Sequence, residues 1–453
     1  MFIIYDLVFL IVILIHLPLY LLRKKFRHGL PARVGVLPKG LDQKRPIWIH
    51  AVSVGEAVMV KGLVLRLKEM FPGRRFVIST VTATGNKIVR SFASGNDFVT
   101  YLPFDFSFIV RSVIDRVDPS LFIIAETELW PNLIRALRKK NIPVVVVNGR
   151  ISDGSFRGYS AIKFLLRPVL AKVNLFCVQG EMDKSRLVSL GVAPGNISVT
   201  GNMKFDSAVF KIDAGELVKS RGNLSLVAAD KLWVCGSTRS GEEEMILAAY
   251  KVLLVDFPGL KLLIAPRHPD RVKEVEKLVC RYSFTPLRIS RLYERPLDLV
   301  RLRSPQVARG KRTTNECEAK RSLPEGDERR NPRSVFILDT VGELINYYAI
   351  ADIVFVGGSL VKTGGHNFLE PAMLEKPILC GPHMFNFRDL AALFLKNQAF
   401  IMVKDRESLA REMKRLLNDP AVALALGCRA RALILKNQGA VERNIQCLRQ
   451  YIS

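Results

Sequence analysis

The chain has 453 residues, 49% apolar and 24% charged, which excludes a disordered polymer and leaves room for two or three domains with full cores. Its 68 basic and 42 acidic residues give a net charge of +26, so three polyanionic partners come into question: nucleic acid, an anionic membrane or a phosphorylated lipid. The seven cysteines are odd in number and lack CxxC or paired spacing, which speaks against a disulfide framework and for buried free thiols in a reducing compartment.

Phe2–Leu22 is apolar except for Asp6, His16 and Pro18, and as a helix it would reach about 30 Å. Basic residues follow it (Arg23, Lys24, Lys25, Arg27) and none precedes it, the reverse of a cleaved signal peptide. Residues 1–22 are therefore expected to be a membrane anchor, with the body on the cytoplasmic side of the inner membrane. The alternative is a shallow interfacial helix. Either form puts a basic body against an anionic membrane surface.

Strand and helix patterns then alternate. Strands are predicted at Pro46–Ala51, Phe76–Thr80, Leu121–Ala125 and Val144–Asn148, and helices at Glu56–Met70, Ser107–Val117 and Trp130–Lys140. The pattern restarts after an irregular stretch, Asp213–Asp230, with strands at Leu232–Gly236, Leu260–Ala265, Val335–Leu338, Ile353–Val356 and Ile378–Cys380, and a helix at Glu242–Asp256. Apolar strands between amphipathic helices give an α/β fold of two doubly wound parallel sheets facing a cleft. The expected domains are 23–220 and 221–420, followed by a helical tail, 421–453, packing back on the first domain. Residues 298–334 carry ten basic and six acidic residues with three prolines. They read as a disordered, basic surface insertion, or alternatively as a polyanion-binding loop.

Ligands of such sheets lie beyond the carboxyl ends of the strands, and polar motifs recur there. They are His50–Glu56, Ser79–Gly85, Glu126-Thr-Glu-Leu-Trp-Pro-Asn132, Gly201–Asp206, Ala265–Arg271, Asp339–Leu344 and the glycine-rich run Phe355–Pro371. In the last of these, Gly357-Gly358 and Gly364-Gly365 allow close backbone approach to a ligand. A helix opening near Asn367 would present free N–H groups to a phosphate, and Glu370 could accept bonds from ribose hydroxyls. The run is neither GxGxxG nor a P-loop.

In this order and spacing the motifs resemble the Kdo transferases, glycosyltransferases of lipopolysaccharide synthesis that move 3-deoxy-D-manno-oct-2-ulosonic acid (Kdo) from CMP-Kdo to a lipid A precursor. The resemblance spans about Trp48 to residue 420 and is carried most specifically by ETELWPN and GGHNFLEP. It implies a GT-B fold, a lipid acceptor in the first domain and CMP-Kdo in the second. It makes Glu56 the general base and Glu126 and Lys204 transition-state stabilisers. It also assigns CMP binding to Arg267, His268, Val341, Gly342, Glu343, Asn367, Phe368, Leu369 and Glu370. Val341 stands where Met is common in the family and Phe368 where Pro is common. No cofactor is expected. No metal is expected either, because the chain contains no Asp-x-Asp and a helix N-terminus with Arg and Lys would stabilise the phosphate instead. Two rivals differ in kind. A sugar-nucleotide epimerase would share the architecture but not need the apolar N-terminus. A polyanion-binding protein would explain the charge, yet no nucleic-acid motif is present, so nucleic acid is not an expected partner.

Overall fold

The computed structural model describes residues 5–11, 13–15, 28–38, 45–208, 212–293 and 327–452. The chain forms two compact units, Met1–Ala208 with Asn437–Ser453, and Val209–Lys436. Each is built on a seven-stranded sheet, and every strand pair in both is parallel.

In the first unit the strands are β1 (Ile47–His50), β2 (Phe76–Thr80), β3 (Phe98–Tyr101), β4 (Leu121–Ala125), β5 (Val144–Gly149), β6 (Leu175–Val178) and β7 (Ile197–Val199), in spatial order 3-2-1-4-5-6-7. The strands β1, β2, β4, β5 and β6 are buried throughout, as expected of runs such as Val144-Val-Val-Val147 covered on both faces. One face carries a core with Trp48, Phe122 and Phe176 beside the helices Ser107–Val117 and Pro131–Lys139. The opposite face packs Ile49, Phe76 and Cys177 with the helices Val54–Met70 and Ala440–Leu448. The strand order reverses between β1 and β4, which makes their carboxyl ends the place where such a sheet takes a ligand.

The second unit contains β8 (Lys231–Thr238), β9 (Leu260–Pro266), β10 (Thr285–Arg288), β11 (Ser334–Ile337), β12 (Ile353–Val356), β13 (Ile378–Cys380) and β14 (Ile401–Met402), ordered 10-11-9-8-12-13-14. Here the reversal falls between β8 and β12. Its core gathers Trp233, Tyr250, Phe284 and Phe355.

Several expectations are corrected. The stretch Asp213–Asp230 is not irregular throughout. Ala214–Asn223 is a helix because the Asp213 carboxylate accepts the N–H groups of Gly215 and Glu216. The tail does not act as one piece from residue 421. The helix Pro420–Asn437 stays with the second unit, where Arg431 pairs with Glu375 and Gly427 lies too close to the Glu375 backbone for any side chain. Residues 437–453 return to the first unit, where Asp206 caps the helix Ala440–Leu448 through the N–H groups of Gly439 and Val441. Of the expected insertion 298–334, residues 298–326 lie outside the described residues. Residues 327–333 hold a short 3-10 turn, and Ser334 opens β11.

Within the expected anchor Phe2–Leu22, residues 5–11 and 13–15 are helical and the remainder lies outside the described residues. Among the described residues no helix is long and apolar enough to cross a membrane. The polar residues of this run dock onto the first unit. The Tyr5 hydroxyl donates to Asp105 (3.0 Å), while Asp6 accepts from the Ser107 N–H (3.1 Å), the Ser107 hydroxyl and the Asn132 amide (2.6 Å for both). Phe9 meets Phe106 edge-on.

Candidate active site

At the end of β1, Ser53 caps the helix Val54–Met70 and Glu56 occupies its first turn. The pattern Ser53-Val-Gly-Glu56 has capping-box spacing, but its return bond falls one residue short of the N-cap: the Ser53 hydroxyl accepts the Glu56 N–H and donates to Glu56 Oε1 (2.8 Å), while Oε2 accepts the Val52 N–H (2.7 Å) rather than that of Ser53. Each carboxylate oxygen keeps a second lone pair. Glu56 is only 8% exposed, and burial, the largest effect, raises its pKa; the Ser53 bond opposes the rise and the charge of Glu126 adds to it.

Glu126 leaves β4, the neighbour of β1 at the strand reversal, with φ of 58°. That left-handed conformation costs a non-glycine residue about 1 kcal/mol or more. The turn is held by Thr127, whose hydroxyl donates to the Arg150 carbonyl and accepts the Arg150 N–H. Lys204, after β7, reaches Glu126 Oε1 at 3.0 Å with both side chains about a quarter exposed. Its loop is fixed by the Met203 N–H donating to the Asn148 side chain and the Lys204 N–H donating to Asn202. Glu128 is pushed up to about 7, first by burial and then by the charges of Glu56 and Glu126. The three motifs thus converge as three carboxylates and one ammonium, and at neutral pH this group can accept a proton. Nearby His50 is fully buried, and burial lowers it to about 3, so it is a neutral packing group bonded to Ser79.

In the second unit, β8 ends in Thr238-Arg-Ser-Gly-Glu242, which repeats the Gly-Glu of the first motif at the corresponding place after the first strand of its sheet. Glu242 is fully buried and accepts four backbone N–H groups, from Arg239 (2.9 Å), Gly358 (2.7 Å), Ser359 (2.9 Å) and Leu360 (2.8 Å). The N–H groups of Gly358, Ser359 and Leu360, which precede the helix start expected to meet a phosphate, are thus spent on a carboxylate. The glycines serve close packing: a Cβ on Gly357 would stand 2.5 Å from the Ser237 carbonyl oxygen, and Gly358 has φ of 68°. The helix behind the run, Leu369–Met373, is only five residues long.

The remaining anion-binding capacity lies in side chains. Arg239 donates to His268 Nε2 (2.8 Å) and to His366 Nε2 (3.3 Å). His366 is lowered to about 4, mainly by burial and then by the charges of Arg267, Arg239 and His268, so it is a neutral acceptor that orients Arg239. Arg267 follows β9, its N–H bonded to the Thr238 carbonyl. Glu370 accepts from the Asn367 amide (2.9 Å), and burial raises its pKa while Arg267 opposes the rise. Arg267, His268, His366, Asn367 and Glu370 are therefore one constellation. Phe368 and Leu369 are not part of its surface. Phe368 is fully buried against Phe387, Phe394 and Phe400, and Leu369 is 2% exposed, so only their backbone can meet a ligand. Val341 is 84% exposed, Gly342 has φ of 97°, and Glu343 accepts the Thr340 hydroxyl at the start of the helix Leu344–Ile350. Arg239 and Glu242 were missed from sequence, although the repeated Gly-Glu after the first strand of each sheet marks them. Among the described residues no group of three His, Cys, Asp or Glu side chains is placed to hold a metal ion.

Residues 28–207 match the family described as 3-deoxy-D-manno-octulosonic-acid transferase (kdotransferase). A protein of Haemophilus influenzae named 3-deoxy-D-manno-octulosonic acid transferase is 34% identical over 409 residues, covering 90% of this chain and 87% of its own length. One of the same name from Bordetella pertussis is 28% identical over 417 residues, with 90% and 87% covered. Among solved structures, UDP-GlcNAc 2-epimerase from Neisseria meningitidis aligns over 90% of this chain and 100% of its own, with a TM-score of 0.57 at 13% identity. That likeness extends to the fold alone.

Proposed function

The chain belongs to the 3-deoxy-D-manno-octulosonic acid (Kdo) transferase family, and from that premise we propose that it transfers Kdo from CMP-Kdo to a hydroxyl of a lipid A precursor with inversion at the anomeric carbon. The observation that carries this reading is Glu56, buried at the strand reversal of the first unit beside the Glu126–Lys204 pair.

The acceptor oxygen attacks the anomeric carbon of Kdo while the bond from that carbon to the CMP phosphate breaks, and the acceptor proton passes to the Glu56 carboxylate. CMP departs as a phosphate monoester whose charge needs no general acid, so one base suffices where a glycosidase uses a pair. A base works best with a pKa raised towards the operating pH, the direction in which burial moves Glu56. Lys204 supplies positive charge for the departing phosphate or the Kdo carboxylate. Glu126 holds that ammonium and supports the electron-poor anomeric carbon. The nucleotide is assigned to the second unit, with Arg239 and Arg267 meeting its phosphate and Glu370 accepting from ribose hydroxyls. No metal is assigned to the reaction. The apolar N-terminus, the basic run behind it and a lipid acceptor support an inner-membrane location with the body on the cytoplasmic side.

Incubating the protein with CMP-Kdo and a lipid A precursor and weighing the lipid product tests the reading directly. A mass gain of one or more Kdo residues with matching CMP release is expected. No gain, with CMP-Kdo left intact, would overturn it.

A further inference from the structure

Apart from the two strand-edge sites, the first unit carries a cationic groove between the helices Ser107–Val117 and Pro131–Lys139. Its cavity of about 140 Å³ is lined by Ser107, Arg111, Asp115, Arg135, Lys139 and Lys140 among others. Asp115 is the acid of this lining and is paired with Lys140. Arg111 and Lys139 are exposed and have no carboxylate partner among the described residues. A second hollow continues past Arg111 to Arg116 and to Phe108, which is 70% exposed.

The rim of this groove is apolar. Asp6 ties the N-terminal helix to Ser107 and Asn132, and the same helix leaves Leu7, Val8, Leu10, Ile11, Leu14 and Ile15 between 41% and 66% exposed. A soluble polyanion would use the cations and leave this apolar surface in water. An amphiphile with a phosphate head uses both. The groove also runs away from the carboxylates. Pro131–Lys139 starts near the strand edge and has nine residues, so its far cations lie about 12 Å along the helix from that edge. They are placed for a group that stays at the surface rather than for the reacting hydroxyl.

We infer that this groove seats the phosphate of an anionic membrane phospholipid while Phe108 and the exposed face of the N-terminal helix enter the acyl region beside it. The inference deepens the membrane placement proposed above and does not depend on the transfer chemistry.

Flotation of the full-length protein with vesicles of phosphatidylcholine alone, or with about a third phosphatidylglycerol, tests it without donor or acceptor present. The double variant Arg111→Gln/Lys139→Gln should lose roughly 25-fold in partitioning to anionic vesicles, at about fivefold for each cation near such a surface. Lys273→Gln/Lys277→Gln, an equal charge loss on an exposed helix of the second unit, should change it by less than about threefold. Phe108→Ser should weaken binding further, with thermal melting confirming that each variant is folded. Equal losses in the two double variants would show diffuse attraction and overturn the groove as a site, as would unchanged binding of Arg111→Gln/Lys139→Gln. In a second arm with the glycolipid acceptor added to the vesicles, a loss seen only there would assign the groove to acceptor phosphates and equally overturn it. If the protein transfers no Kdo yet shows the expected vesicle pattern, the transferase reading fails and the groove stands.

Discussion

Replacing Glu56 by Gln separates its two roles, because Glu56 both braces the helix start through Val52 and Ser53 and is the proposed base. In the structure Oε2 accepts the Val52 N–H and Oε1 accepts the Ser53 hydroxyl. A glutamine keeps the first bond through its carbonyl and can donate its amide to the Ser53 oxygen, so the cap is rearranged rather than lost. The stability cost should be about 1 kcal/mol, the usual worth of one cap or one neutral hydrogen bond. The catalytic cost is of a different size. An amide cannot take the acceptor proton, and a positioned base contributes about 10²–10⁴-fold, or roughly 3–5 kcal/mol of activation free energy. Turnover, CMP-Kdo binding and thermal melting measured on the same variant should therefore show a loss of at least about 100-fold in rate, with binding retained and a small fall in melting temperature. Turnover within about tenfold of the parent would refute the assignment. It would leave Glu56 as a cap and move the base to Glu126 or Glu128.

Three further outcomes are expected. Glu128 is pushed up to about 7, first by burial and then by the charges of Glu56 and Glu126, so Glu56→Gln should lower the Glu128 pKa in an NMR titration of the carboxyl carbons; an unmoved value would show that the two carboxylates do not communicate. Arg267→Ala and Arg239→Ala should each raise the KM for CMP-Kdo at least about tenfold, the loss of one charge-assisted bond, while leaving acceptor KM within about twofold; an unchanged donor KM removes that arginine from the site. Glu242→Ala strands four buried N–H groups and should cost about 3 kcal/mol or more in a denaturant melt. A cost under about 1 kcal/mol would show that Glu242 does not hold these N–H groups.

The sheets were the most legible part of the sequence, since β4 and Val144–Val147 of β5 are continuous apolar runs, as strands buried on both faces tend to be. Short strands escaped notice: β3 is half-exposed and β14 has two residues, too few to show any period. The helix Ala214–Asn223 was missed although Asp213 and Glu216 carry its start signal, because Gly215 and Gly222, both within it, read as loop. At the site, motif position correctly brought Glu56, Glu126 and Lys204 to one edge, and the parallel topology explains why. What position could not show is where a side chain or N–H points. Phe368 turns into an aromatic cluster, and the N–H groups of Gly358, Ser359 and Leu360 turn to a carboxylate more than a hundred residues earlier in the chain. Such pairings are set by tertiary packing. A carboxylate at the helix start was legible in His50–Glu56, and in the structure that carboxylate, bonded to Val52 and Ser53, is also the proposed base.

The central claim is direct, base-assisted displacement at the anomeric carbon, and the configuration of the product tests it most closely. Nuclear magnetic resonance of the lipid product formed from CMP-Kdo should show the first transferred Kdo with the anomeric configuration opposite to that of the donor and one CMP released per Kdo transferred. Retained configuration would require an intermediate on the enzyme and would contradict Glu56 acting as a general base in a single step.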